Sequence, residues 1–221
     1  MEQSIAEQKA RELKIDKAQV VREYWELVVL KGLYESPFGR YLLFKGGTAL
    51  RLTYGSPRFS EDLDFSLTSD VLQGKFSSLI KKITAPFPDL YLTDLEEKHY
   101  TYLAEIKVSP NYLPFPFRIK VEISKRETKN YQWELRLLSS PATIVQVIGQ
   151  VATLKQIYKD KLACLRGRKK PKDLFDLWYV CQKLNIPYTA QKISLDKKEV
   201  VRDLRKYLPR DFWPAIEGLI R

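Results

Sequence analysis

The residues from Phe44 to Leu52 read FKGGTALRL, and those from Arg58 to Phe65 read RFSEDLDF. The apolar run before the two glycines predicts a short strand, and the spacing of apolar residues after them predicts a helix. In the second stretch acidic or polar residues alternate with apolar ones as far as Leu67, which is typical of a half-buried strand. Together the two stretches predict a strand, a tight turn, a helix and a second strand.

Two aspartates of the second predicted strand point the same way. Asp62 and Asp64 lie two residues apart, so their side chains project from one face with alpha carbons ~6.5 Å apart. Like charges this close are unfavourable unless cations lie between them, and hard divalent ions such as Mg²⁺ prefer oxygen ligands. Glu122, between two apolar residues of a later predicted strand, offers a third carboxylate. The pattern predicts a site for Mg²⁺ or Mn²⁺, although a D-x-D pair is often only a solvated face.

The glycine turn between the first predicted strand and helix is a candidate anion site. Gly46 and Gly47 lack side chains, so backbone N–H groups at the helix start can approach a phosphate, and the Thr48 hydroxyl adds a donor. Arg58 and Ser60 precede the acidic strand, where a guanidinium can neutralise phosphate charge. A phosphate site followed by the strand with the paired carboxylates is the minimum equipment for handling an NTP. The alternatives are an ordinary turn and a structural Arg58–Glu61 ion pair.

The remaining sequence predicts an α/β protein with a mixed or antiparallel sheet. Apolar spacing predicts one long amphipathic helix from Ile5 to Tyr34, and alternation predicts strands over residues 100–106 and 117–123. Beyond Pro141 mainly helices are expected, apart from a possible strand at Ile144 to Val147. We therefore expect a sheet-containing domain over residues 1–140 and a mainly helical domain over residues 141–221.

Composition narrows the chemistry and the partners. Of the 221 residues, 38 are lysine or arginine and 27 are acidic, giving a net charge of +11, which favours polyanions such as nucleic acid. A single histidine and two isolated cysteines argue against a zinc site, a serine–histidine triad and a disulfide framework. There is no P-loop motif, no apolar run long enough to span a bilayer and no signal peptide, so we expect a cytoplasmic protein with no membrane partner.

The two quoted stretches resemble the signature of AbiEii-type nucleotidyltransferases. These are toxins of abortive-infection, type IV toxin–antitoxin systems and belong to the minimal group of the DNA polymerase beta superfamily. Residues 160–177, DKLACLRGRKKPKDLFDL, are similar to the family's C-terminal motif, in which K-L-x-A-L leads through a basic loop to D-L-x-D-L. The resemblance extends from about Tyr41 to Leu184. It implies a polymerase-beta-like sheet domain followed by helices that complete a cleft for NTP.

The resemblance also assigns roles to individual residues. Lys161 is expected to reach the triphosphate, and Asp173 or Asp176 to orient that lysine or help activate the acceptor. Asp173 could equally cap the following helix. Lys172 departs from the family, whose members often have arginine there, which matters only if a bidentate contact is required. The matched positions are Gly46, Gly47 and Thr48 for the triphosphate, and Asp62, Asp64 and Glu122 for the metals.

Basic residues that follow Lys161 are candidates for RNA binding. Arg166, Arg168, Lys169, Lys170 and Lys172 could follow an RNA backbone, or could form an ordinary solvated loop. By resemblance, an acceptor hydroxyl at the 3′ end of tRNA attacks the alpha phosphorus of an NTP, and a cognate antitoxin is expected as a partner. The alternatives are a nucleotidyltransferase that modifies a protein or a small molecule such as an antibiotic, and a non-catalytic RNA-binding or antitoxin-like module.

Overall fold

A computed structural model of the chain describes residues 1–126, 128–188 and 196–219. The N-terminal half contains α1 (Gln3–Leu13), α2 (Lys17–Tyr34), β1 (Leu42–Lys45), α3 (Gly46–Tyr54), β2 (Asp62–Leu67), α4 (Phe76–Thr84), β3 (Leu90–Glu97) and β4 (Thr101–Val108). The second half contains β5 (Phe117–Ser124), β6 (Trp133–Ser140), β7 (Thr143–Ala152), α5 (Leu154–Gly167), α6 (Pro171–Leu184), α7 (Lys197–Arg205) and α8 (Trp213–Leu219).

The strands of the described residues form one mixed sheet. Their order is β3-β4-β5-β2-β1-β7-β6. β2 is parallel to β5 and β1 is parallel to β7, whereas the other neighbouring pairs are antiparallel. The predicted α/β class with a mixed sheet and flanking helices is confirmed.

Alternation along β2 gives the sheet one apolar face and one acidic face. Leu63 and Phe65 are buried and belong to the main core, where Phe65 packs against Phe44 of β1 with ring centroids 5.0 Å apart. Residues of α2, including Trp25, belong to the same core. Because neighbouring residues of a strand point to opposite faces, Asp62 and Asp64 project away from α2.

The predicted single helix from Ile5 to Tyr34 is wrong, because the structure has two helices there. Lys14 adopts a left-handed backbone conformation with φ 52°, which ends α1. Asp16 then caps α2, its carboxylate accepting a hydrogen bond of 2.7 Å from the backbone N–H of Ala18. An aspartate side chain competes with helical hydrogen bonding and favours a cap, and this local signal interrupts an otherwise continuous apolar stripe.

The strand predicted at Ile144 to Val147 is much longer than expected. β7 has ten residues and lies between β1 and β6, so it has hydrogen-bonding partners on both sides. Residues on both sides of position 140 therefore contribute to the sheet, and the division into domains at that position stays a prediction. Among the described residues, no helix is both long enough and apolar enough to cross a bilayer.

A second apolar core joins the C-terminal helices to α3. It includes Leu50 of α3, Phe175 and Val180 of α6, and Leu204 of α7. Thr153 caps α5 by accepting a hydrogen bond of 3.2 Å from the backbone N–H of Gln156. Pro171 occupies the first turn of α6, where its missing N–H is not needed. These contacts fix α5 and α6 beside the start of β2.

Candidate active site

A cleft of about 670 Å³ lies between the acidic face of the sheet and helices α5 and α6. A larger groove of about 900 Å³ between α1 and α7 contains neither the glycine bend nor the paired aspartates. The cleft brings together most of the residues predicted from the sequence, while five lie outside its lining: Thr48, Arg166, Lys169, Lys170 and Asp176. The predicted residues that line it are Gly46, Gly47, Arg58, Ser60, Asp62, Asp64, Glu122, Lys161, Arg168, Lys172 and Asp173.

The glycine bend requires residues without side chains. Gly46 has φ +83°, and a Cβ placed there would lie 2.6 Å from Oδ2 of Asp64. A Cβ on Gly47 would lie 2.9 Å from Oγ of Ser60 and would collide with the guanidinium of Arg58. The bend therefore packs directly against Asp64 and Arg58. Since α3 begins at Gly46, unpaired backbone N–H groups of its first turn are available beside these residues.

Thr48 has a structural contact that the sequence did not indicate. Its side chain is buried, and its hydroxyl donates a hydrogen bond of 2.6 Å to the backbone carbonyl of Asp62. The expectation that this hydroxyl serves as a free phosphate donor does not fit that arrangement, because its proton is already donated. Thr48 instead ties the first turn of α3 to the start of β2, which fixes the distance between the bend and the acidic strand.

Three carboxylates share the face of the sheet beneath the cleft. Asp62 and Asp64 lie on β2, and Glu122 of β5 is the register partner of Asp64. Burial raises the pKa of Asp64, and the charges of Asp62 and Glu122 raise it further. Negative charge is therefore concentrated at one place, which is the environment that a hard divalent cation neutralises.

Lysine side chains contact two of these three acids. Lys120, the residue opposite Asp62 in the register, places Nζ 2.5 Å from Oε2 of Glu122. Lys172 places Nζ 3.5 Å from Oδ2 of Asp62. In the described part of the chain, no three potential ligand side chains are gathered closely enough to hold a metal ion. The oxygen donors are of the right kind for Mg²⁺ or Mn²⁺, and Lys120 occupies only Oε2 of Glu122.

Four charged side chains form a buried network on the other side of the cleft. Arg58 donates from Nε and Nη2 to the two carboxylate oxygens of Asp176, at 2.7 and 2.8 Å. Lys161 lies 2.6 Å from Asp176 and 2.8 Å from Asp173. Burial alone raises the pKa of Asp176, but the charges of Arg58 and Lys161 outweigh it and lower the value to about 2. The network holds Lys161 in the cleft wall as a cation.

The contacts of Asp173 and Arg58 in this network answer two questions that the sequence left open. Asp173 does not cap α6, because the residue at the cap position is Lys170 and the Asp173 carboxylate contacts Lys161 and Arg168. Arg58 contacts Asp176 rather than Glu61. The Glu61 carboxylate instead accepts a hydrogen bond of 2.6 Å from the Tyr207 hydroxyl.

The basic segment after Lys161 divides into two parts. Arg168 and Lys172 turn into the cleft, where Arg168 Nε lies 3.3 Å from Oδ2 of Asp173. Arg166, Lys169 and Lys170 are exposed, and only residues 168–170 separate the helices. The predicted basic loop is therefore shorter than residues 166–172.

Sequence reasoning missed two lysines of the cleft lining, Lys45 and Lys120. The signal for Lys120 was available, because it lies two residues before Glu122 in a strand and so must share its face. Lys45 is the register partner of Asp64 on β1. Nothing in the local pattern distinguishes Lys45 from an exposed lysine at a strand end.

Comparisons with known proteins identify relatives of this fold. A putative nucleotidyltransferase from Helicobacter pylori is similar with a TM-score of 0.63 and 22% identity over 93% of this chain and 92% of that one. JHP933 from Helicobacter pylori is similar with a TM-score of 0.59 and 22% identity over 93% and 90%. MenT4, a nucleotidyltransferase toxin from Mycobacterium tuberculosis H37Rv, is similar with a TM-score of 0.57 and 20% identity over 84% of this chain and 63% of that one.

These structural similarities confirm the expected nucleotidyltransferase fold. The search among curated proteins found no match. The profile of the family described as "Nucleotidyl transferase AbiEii toxin, Type IV TA system" matches residues 28–213, a range that includes the glycine bend, both aspartates and the buried network. The chain belongs to this AbiEii family of nucleotidyltransferase toxins.

Proposed function

We propose that this chain transfers a nucleoside monophosphate from an NTP to the 3′ end of tRNA and so acts as the toxin of a toxin–antitoxin pair. The observation that carries the proposal is the position of Asp62 and Asp64, which line one cleft with the Gly46–Gly47 bend and Lys161. Carboxylates that can bind divalent cations lie in contact with a bend that can bind an anion. This pairing suits a substrate whose phosphates carry divalent cations. A cognate antitoxin is the expected protein partner.

The residues of the cleft have separate roles in the proposed transfer reaction. Asp62, Asp64 and Glu122 would hold Mg²⁺ or Mn²⁺, which stabilises the charge on the attacking and leaving oxygens of the displacement. The backbone N–H groups at Gly46 and Gly47 orient the triphosphate. Lys161 supplies a fixed positive charge on the opposite wall. The oxygen of the acceptor hydroxyl bonds to the alpha phosphorus and its proton passes to water, while the bond from that phosphorus to the oxygen shared with the beta phosphorus breaks and pyrophosphate leaves.

Asp173 and Asp176 are positioning residues in this scheme. Asp176 is 0% exposed and lies outside the cleft lining, so direct contact with the acceptor is not expected. Asp173 lines the cleft, but its two oxygens face Lys161 and Arg168. We therefore assign both aspartates to orienting Lys161 rather than to activating the acceptor.

Arg58 and Ser60 are proposed to support the triphosphate from beneath the bend. Arg58 lies against Gly47, and its Nε, Nη1 and Nη2 atoms all donate to other groups of the protein. Its contribution is therefore mainly a fixed charge behind the glycine backbone. Ser60 is buried beside the same glycine and keeps the bend close to the strand.

A labelling experiment tests the proposal. The protein is incubated with Mg²⁺ and each labelled NTP in turn, together with bulk tRNA or a protein extract. Label is expected in tRNA, and it should be absent from tRNA whose terminal diol has been destroyed with periodate, because the attacking hydroxyl is then missing. Label in oxidised tRNA would contradict attack by the 3′ end. Label in protein would favour the protein-modifying alternative, and no label in any fraction would favour a non-catalytic module.

The role of Lys161 has a matched control on the same helix. Replacing Lys161 by alanine is expected to raise the NTP concentration required for half-maximal labelling, while tRNA retention changes little. Lys159→Ala removes an exposed lysine of α5 and is expected to leave both unchanged. Lys161→Ala leaves Asp173 and Asp176 without this buried cation, so both measurements are made well below the thermal midpoint of the variant. Equal loss of NTP use and tRNA retention in the folded variant would contradict the assignment.

The exposed part of the basic segment is proposed to contact the RNA backbone. Arg166, Lys169 and Lys170 are exposed, and their neighbours Gly167 and Arg168 line the cleft. Replacing all three by serine should weaken tRNA binding and reduce its salt dependence, since fewer counterions are released on binding. NTP binding measured without RNA should be unaffected. An unchanged salt slope would place the RNA contacts elsewhere.

A further inference from the structure

The β6–β7 hairpin has an apolar outer face, which we call the hairpin strip. Its exposed fractions are highest for Ile144 at 98%, Leu135 at 66% and Ile148 at 65%, and Trp133 and Leu137 are about half exposed. Leu137 is the register partner of Ile148, so apolar residues of both strands adjoin on this face, where Gln146 and Gln150 of β7 interrupt them. Single exposed apolar residues are ordinary, but a contiguous group of this kind usually marks an interaction site.

The opposite face of the same hairpin carries Glu134 and Arg136, whose side chains are half-exposed, beside Leu138, Val147 and Val151, which are buried in the main core. Glu134 accepts a hydrogen bond of 2.8 Å from the Tyr54 hydroxyl of α3, and the guanidinium of Arg136 lies 5.2 Å from the centre of the Tyr54 ring. A sheet with one solvated face normally turns its polar residues to water and its apolar residues to the helices. β6 departs from this pattern because Trp133, Leu135 and Leu137 are exposed on one face while Leu138 on the other face is buried in the main core, and an exposed apolar face is favourable when a partner covers it.

β6 is also the last strand of the sheet, so one of its edges has no neighbouring strand among the described residues. A long, flat, apolar edge strand is prone to pair with another chain. We propose that β6 pairs antiparallel with β6 of a second copy of this chain. The two sheets then continue into one another across a twofold axis, and the hairpin strips of both copies meet.

The sequence of β6 is complementary to itself in this arrangement. With Leu135 opposite Leu135 of the second copy, Glu134 lies opposite the second copy's Arg136, and Trp133 lies opposite the second copy's Leu137. The charged pairs occupy one face and the apolar pairs the other, as the alternation of a strand requires. Each pair occurs twice because a twofold interface is self-complementary. Four of the five strip residues are aliphatic, which favours a protein surface over stacked nucleic-acid bases.

Light scattering after size-exclusion chromatography tests the proposal on the full chain. The wild-type protein is expected at twice the 25.9 kDa mass of one chain. Leu135→Lys places two unpaired charges opposite each other at the axis, so the dimer dissociation constant should rise by roughly a hundredfold or more. The matched control is Phe115→Lys, which changes an apolar residue that is 78% exposed and lies outside the hairpin, and it should remain dimeric. A monomeric wild-type protein at the highest soluble concentration overturns the proposal.

Exchanging the charges at positions 134 and 136 tests the proposed strand register specifically. This test remains valid even if Leu135→Lys does not fold. Glu134→Arg opposes two arginines at both symmetric positions, and Arg136→Glu opposes two glutamates, so each variant alone should be monomeric. Mixed together they restore opposite charges at both positions and should form a heterodimer of double mass. Variants that remain dimeric alone, or that fail to associate when mixed, contradict the proposed pairing. A wild-type protein that stays monomeric alone but forms a one-to-one complex with a cognate antitoxin, lost in Leu135→Lys, would overturn it in favour of a different protein partner.

Discussion

Replacement of Asp176 by asparagine tests whether the buried network holds the cleft together. Asp176 is fully buried and is the shared partner of Arg58 and Lys161. Asparagine has nearly the same shape but no charge, so Arg58 would stay buried without an anionic partner. Breaking a buried ion pair on one side costs about 3–5 kcal/mol. For a chain of this length each kcal/mol lowers the thermal midpoint by about 2–4 °C, so calorimetry should show a fall of at least about 6 °C.

Two controls distinguish the cost of an unpaired buried charge from the cost of lost packing. Asp62→Asn changes a carboxylate that is 36% exposed and lies 3.5 Å from its lysine, and such a pair contributes at most about 1 kcal/mol. The double replacement of Arg58 by methionine and Asp176 by leucine removes both charges, so it should be less destabilising than Asp176→Leu alone. A midpoint for Asp176→Asn within 2 °C of the parent, on the scale of about 2–4 °C per kcal/mol, would refute the reasoning.

Three further outcomes are expected. Asp62→Asn should lower tRNA labelling by at least about a hundredfold with little change in the thermal midpoint, and parallel loss of folding would make the residue structural. Gly47→Ala should raise the Michaelis constant for NTP, because its Cβ meets Arg58 and Ser60, and an unchanged constant would mean that the bend does not contact the nucleotide. The pKa of Asp176 lies at about 2, below its usual 3.8, so its stabilisation is complete above pH 3.8 and is lost as the pH falls towards 2. In urea unfolding at decreasing pH, the free energy of unfolding should fall by about 2 kcal/mol because of this group. Asp176→Asn should not show this fall.

The sequence predicted the parts of the site that depend on backbone pattern. A two-residue spacing on a strand determines that Asp62 and Asp64 share a face, and two glycines between a strand and a helix determine a tight bend. Both follow from local geometry, which is why they agree with the structure. The AbiEii family was also predictable, because two motifs separated by about a hundred residues had to occur in the right order.

The contacts that short polar side chains make with the backbone were harder to predict. Thr48 was expected to face a phosphate, but its hydroxyl reaches the backbone of Asp62, fourteen residues away in the sequence. The long helix expected before Tyr34 was interrupted by the cap at Asp16. In both cases a short polar side chain satisfied a nearby backbone group, a contact that apolar periodicity does not report.

The partner of Arg58 illustrates the limit most clearly. From the sequence, Glu61 is three residues away and is a reasonable ion-pair partner, whereas Asp176 is 118 residues away. The structure selects the distant residue because both side chains are almost completely buried there. A buried charge requires a close and well-oriented counter-charge, while an exposed one gains little from any neighbour. Burial is a property of the assembled fold, so the pairing that supports Lys161 could only follow from the arrangement of α6 against the start of β2.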